Sequence, residues 1–179
     1  MSHITCYNGE KLSLTTGVPT MHSAGVQLGR ITRFCGALGE FYPVLAHTIV
    51  VGHLLPDKIR IYGFLHDVPE MALSDVPTPM KTDVARNREA RILARVYAEL
   101  GIKPPSENTM DYVHEADEKA LYAEAIILGH KGDWGTTCDP MAATLTRKWR
   151  KKSIEMLNAD YAGPLFERKV AQAIRLNAG

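Results

Sequence analysis

His66 and Asp67 are adjacent, Glu70 follows within one helical turn, and Asp75 opens the run Asp75-Val76-Pro77-Thr78-Pro79-Met80-Lys81. The apolar residues Ile59, Ile61, Tyr62, Phe64 and Leu65 come just before the pair, so imidazole and carboxylate arrive at the buried end of a helix. Glu70, three and four residues further on, shares their helical face. Burying such groups unpaired costs several kcal/mol each, and a metal ion is the single partner that satisfies most of them together. Pro77 and Pro79 exclude helix and predict an extended loop that fixes the origin of Lys81.

His66-Asp67, Glu70 and the Asp-x-Pro-Thr-Pro-x-Lys run of 75–81 resemble the core motif of HD-domain phosphohydrolases. The likeness is to the small deoxynucleotide 5′-nucleotidases of the YfbR type and to phage enzymes that release triphosphate from dATP. It runs from about Arg33 to Leu128. It implies an all-α fold, an HD-domain helical bundle of about six to eight helices. It also implies one divalent transition metal held by the His-Asp pair, an upstream His and a later Asp on a late helix. His47 and Asp117 stand in those places, giving the ligand set His47, His66, Asp67 and Asp117. An Arg followed by a bulky aromatic precedes the first metal His in the family, and Arg33-Phe34 matches it.

These residues need helices to bring them together. A helix over 23–35, with Ser23 as N-cap, carries Val26, Ile31 and Phe34. From Val44 to Leu55, His47 shares a face with Val50, Val51 and Leu54; taken alone, a His there is more often a hydrogen-bonded core residue than a ligand, and the downstream His-Asp reverses that. His53 lies six residues on, cannot reach the same ion, and is assigned a structural role. A helix over 86–100 turns Ala90, Leu93, Ala94, Val96 and Tyr97 inward and leaves its arginines solvated. On a helix over 110–128, Asp117 shares an apolar stripe with Val113, Ala120, Leu121 and Leu128, interrupted only by Glu124. A carboxylate so placed takes up a proton or finds a cation. Residues 129–140 read as a polar surface loop bordering the pocket, and helices over 142–157 and 161–176 close the bundle. Residues 1–20 read as an irregular arm or short hairpin around Asn8-Gly9.

With 179 residues and a net charge of +1, the expectation is one domain over 1–179 with no electrostatic footprint for nucleic acid. Cys6, Cys35 and Cys138 form neither a CxxC pair nor an even disulfide set and suit a reducing cytoplasm. No signal-peptide pattern and no apolar run approaching the roughly 20 residues of a membrane span is present, so a cytoplasmic protein is expected (host cytoplasm for a phage gene). The expected partner is a small-molecule nucleotide, and the resemblance implies a homo-oligomer, dimer or larger.

Two imidazoles and two carboxylates around a dication leave a site near neutrality that suits Co, Mn, Zn, Ni or Fe alike. An ion there lowers the pKa of bound water and draws charge from phosphorus. Glu70 and Asp75 are the candidate proton-transfer groups, with the acid and base roles open between them. Lys81 and Arg33 suit phosphate oxygens, and Phe34 offers a flat wall to sugar or base. The expected reaction is attack at the α-phosphorus of a purine-type deoxynucleotide, releasing phosphate from a dNMP or triphosphate from a dNTP. Two other readings stand beside it: a di-iron oxygenase of the HD superfamily drawing on His114 or His130, and a non-catalytic helical binding module with a structural metal.

Overall fold

The computed structural model describes residues 3–13 and 15–177. Strands β1 (His3–Thr5) and β2 (Lys11–Ser13) pair antiparallel with Ile4 opposite Leu12, and the regular elements that follow among the described residues are helices. Helix α1 (Met21–Leu28) is capped by Thr20, whose hydroxyl accepts from the Ser23 amide, so the cap lies three residues before the expected Ser23. It also stops well short of Cys35. The Arg33 amide donates to Tyr42 O and the Val44 amide to Ile31 O, so this segment is drawn out into a bridge with Pro43 instead of winding on.

Helix α2 (Val44–Leu54) is the rod at the centre. Every residue from Val44 to Gly52 is buried, not one face of it alone, as an apolar helix surrounded by others requires. Helix α3 (Arg60–Leu65) packs on it and hands over to His66 as C-cap; the short α4 (Glu70–Leu73) follows one turn later. Instead of an extended loop, the proline run makes a single 3₁₀ turn at Thr78–Met80. Helix α5 (Asp83–Glu99) starts three residues before the expected Arg86, capped by Thr82. One of its arginines is not solvated surface: Arg95 Nε and Nη1 donate to Gly17 O and Thr15 O and tie down the arm. Helix α6 (Glu107–Ile127), α7 (Pro140–Arg150) and α8 (Ala159–Asn177) complete the bundle, with α6 and α7 against α2 and α8 against α1 and α3. The helix expected over 142–157 therefore breaks at Arg150, and a 3₁₀ turn covers Glu155–Leu157.

The α2–α3 crossing is set by two glycines. A Cβ on Gly63 would stand 2.6 Å from Leu55 Cδ1 and 2.8 Å from Gly52 Cα, and one on Gly52 would lie inside the Phe64 ring. This contact fixes the distance between the helix that carries His47 and the one that ends in His66. Gly63→Ala gains helix propensity but overpacks rigid backbone, at a cost of about 1–3 kcal/mol. The melting temperature is expected to fall by roughly 5 °C in a thermal melt, against the rise that propensity alone would give.

Candidate metal centre

His47 on α2, His66 and Asp67 at the end of α3, and Asp117 on α6 meet beneath one cavity. One ligand atom each from His47, His66 and Asp67 can be chosen so that all three lie within 4.8 Å of one another. His47 Nε2 is 3.6 Å from Asp67 Oδ2 and 2.9 Å from Asp117 Oδ1, while His66 Nε2 is 3.2 Å from Asp67 Oδ1. Asp117 joins on the His47 side, its side chain 44% exposed toward the cavity while His47 is fully buried.

The ring orientations are locked from behind. His47 Nδ1–H donates to both oxygens of Glu124, at 2.9 and 3.1 Å, and His66 Nδ1–H donates to Gly63 O at 2.7 Å. In the neutral ring each bond fixes a tautomer whose lone pair sits on Nε2 and faces the cluster. Those two Nε2 atoms and Asp67 Oδ2 are buried and have no hydrogen-bond partner among the described residues. Two lone-pair acceptors repel at the separations seen here unless a proton or a metal cation lies between them. Ligand atoms about 2.1 Å from a common ion stand about 3.0 Å apart along an octahedral edge and about 3.4 Å along a tetrahedral one. The observed 2.9, 3.2 and 3.6 Å bracket those edges. The donor set fits a divalent transition metal.

Electrostatics point the same way. Asp67, Glu70, Asp75, Asp117 and Glu124 surround one guanidinium, Arg33, whose Nε is 3.6 Å from Glu124 Oε2 and whose Nη1 is 3.8 Å from Asp75 Oδ1. Burial works against the Arg33 charge, but Glu124, Asp67 and Asp75 hold it firmly protonated. Burial and Arg33 push the His47 pKa down, yet Glu124 and Asp117 outweigh them and lift it to about 10. A field that retains a proton so strongly attracts a dication as well. Glu70 is pushed up to about 9 by burial and by the Asp67 and Asp75 carboxylates.

The cavity above has a volume of about 470 Å³, within the range of small-molecule sites. Arg33, Phe34, Asp67, Glu70, Asp75, Lys81 and Asp117 all line it. Phe34 and Cys35 hold positive φ angles of 55° and 51°, a conformation costing non-glycine residues about 1–2 kcal/mol each. That turn presents Phe34 to the cavity with the Arg33 guanidinium 5.6 Å from its ring centre. Lys81 is not a free cation: its Nζ is 2.8 Å from Glu89 Oε1 on α5 and 3.7 Å from Glu70 Oε1.

Two contributors, Glu124 and Trp134, were not assigned roles from sequence, and His130 was named there only for the oxygenase reading. Glu124 is the fully buried carboxylate behind His47, and its signal was its position as a charged residue on an apolar stripe. His130 and Trp134 line the cavity from the 129–135 loop, where a Trp amid glycines and polar residues was the clue. Two of the histidines weighed from sequence, His53 and His114, lie elsewhere. His53 Nε2 accepts from Lys169 Nζ at 2.9 Å and its ring packs edge-on against Phe64, in keeping with a structural role. His114 is exposed on α6, and neither it nor His130 belongs to the ligand group found among the described residues.

No helix among the described residues is long and apolar enough to cross a membrane. No family model matches the chain. Over 94 residues it is 28% identical to the uncharacterized protein YfdR of Escherichia coli (strain K12), which covers 51% of this chain and 53% of that protein. The chain thus matches about half the length of that curated relative, and the likeness carries no activity with it.

Proposed function

We propose that this chain is a divalent-metal-dependent phosphohydrolase acting on deoxynucleotides. The observation that carries the reading is the convergence of three unpartnered buried ligand atoms under a cavity that also holds Arg33, Lys81, Glu70 and Asp75. His47, His66, Asp67 and Asp117 would hold the metal, which when bound supplies Lewis-acid activation of water and of a phosphoryl oxygen.

The remaining work falls to the chain's own side chains. Arg33, buried and fixed by two carboxylates, offers planar N–H donors to non-bridging phosphate oxygens. Lys81 swings between Glu89 and a phosphate, so binding exchanges one anion for another. Glu70 and Asp75 line the same cavity with carboxyl groups that burial biases toward the protonated form. Either can donate to a leaving oxygen or take a proton from the attacking water. Phe34 closes the side where sugar or base would lie.

The test is product analysis on all four dNMPs and dNTPs with Co, Mn, Zn, Ni or Fe added in turn, separating phosphate from triphosphate. Phosphate from dNMPs marks the 5′-nucleotidase reaction and triphosphate from dATP marks the triphosphohydrolase. No product with any metal sinks the proposal. Glu70→Gln is expected to keep the metal and lower kcat by about 10²–10⁴. A Glu70→Gln protein of full kcat would remove Glu70 from the chemistry. Homo-oligomerisation belongs to the same reading, and sedimentation of the purified chain measures it.

A further inference from the structure

We infer that the loop from Gly129 to Gly135 is a nucleobase-recognition element of this cavity, in which His130 and Trp134 select substrates carrying a flat heteroaromatic ring. The inference rests on the phosphohydrolase reading and names the part of the substrate that the ring wall takes.

The loop locks itself. The Trp134 indole N–H donates to His130 Nδ1 at 2.9 Å, and the Gly132 amide donates to the same nitrogen at 3.1 Å. Two N–H groups aimed at one ring nitrogen make it an acceptor, so neutral His130 carries its proton on Nε2. Among the described residues that N–H has no protein acceptor, and the ring lines the cavity. Gly132 is required for this arrangement, since a Cβ there would stand 2.6 Å from Trp134 Nε1. Gly129 and Gly135, at φ 73° and 67°, bracket the turn.

The rings form a wall. Phe34 lies 5.0 Å from His130 at an interplanar angle of 34°, and Trp134 stands edge-on to Phe34 at 6.1 Å and to Tyr122 at 5.6 Å. The loop turns Lys131 and Asp133 to water, as any surface connection does, but not its two rings. It brings a Trp and a donor-bearing His into the cavity that holds Arg33 and Lys81. Stacking accepts any base, and the free N–H adds preference for an acceptor on the base edge.

Deoxyadenosine, which has no phosphate to grip, is expected to quench Trp134 fluorescence. The quench disappears in Trp134→Phe, while His130→Ala weakens deoxyadenosine binding about tenfold or more. In turnover, the kcat/KM preference for dAMP over 2-deoxyribose 5-phosphate falls about tenfold or more in His130→Ala and Trp134→Ala, mainly through KM. Trp134→Phe keeps most of that preference because a ring remains, and Gly132→Ala loses it because the indole is displaced with both rings still present. No quench by deoxyadenosine, or a preference unchanged in both alanine variants, overturns the inference. Equal turnover of dAMP and 2-deoxyribose 5-phosphate removes it but leaves the hydrolase reading standing. A quench without hydrolysis of any nucleotide supports the ring site and removes the hydrolase.

Discussion

Asp67→Asn is expected to abolish binding of a divalent ion and to lower the phosphate-ester hydrolysis proposed above by about a thousandfold or more. The carboxylate touches both imidazoles, with Oδ1 3.2 Å from His66 Nε2 and Oδ2 3.6 Å from His47 Nε2. An amide of the same shape removes the charge at the centre of the ligand set. Metal activation supplies several kcal/mol of transition-state stabilisation, and each 1.36 kcal/mol is tenfold in rate. The fold is expected to survive. Asp67 Oδ2 makes no hydrogen bond that the amide would break, and the substitution relieves repulsion on Glu70, whose proton affinity is raised by burial and then by Asp67. Metal content per chain by mass spectrometry, phosphate release and a thermal melt measure the three effects. A variant that keeps one metal per chain and full turnover would refute the assigned ligand set.

Glu124→Gln should show the opposite pattern, a loss of stability first and of metal second. Glu124 is fully buried; both its oxygens accept from His47, and one lies 3.6 Å from the Arg33 guanidinium. Removing its charge leaves Arg33 buried beside fewer anions, and breaking such a pair costs about 3–5 kcal/mol. At about 2–4 °C per kcal/mol for a chain of this size, the melting temperature falls by roughly 6–20 °C. An amide can also turn its NH₂ toward the His47 N–H, freeing the imidazole from its tautomer. Metal affinity then drops about 10–100-fold. Calorimetry and metal titration read both numbers. A Glu124→Gln protein melting within 2 °C of the parent would mean that the network around Arg33 is not structural.

The all-α architecture was legible in the sequence because helix signals are local. Apolar spacing placed α5 and α6 to within a few residues of their observed starts. The His66-Asp67-Glu70 group was legible for the same reason, since one turn of chain brings these residues together whatever surrounds them. Where a competing long-range contact existed, the local reading failed. Spacing carried a helix through Phe34 and Cys35, but pairing of 31–33 with 42–44 ended it early and turned Phe34 into the cavity at positive φ. Arg95 read as solvated surface because its partners, Thr15 and Gly17, are about 80 residues away in the chain. Glu124 could be seen as anomalous but not as the partner of His47, which lies 77 residues upstream. The sequence by itself determined which groups were too polar to be buried unpaired. Only the tertiary structure decided which of them face one another, because a side chain's partners are set by the crossing of distant helices, here by the Gly52–Gly63 contact, and not by its neighbours along the chain.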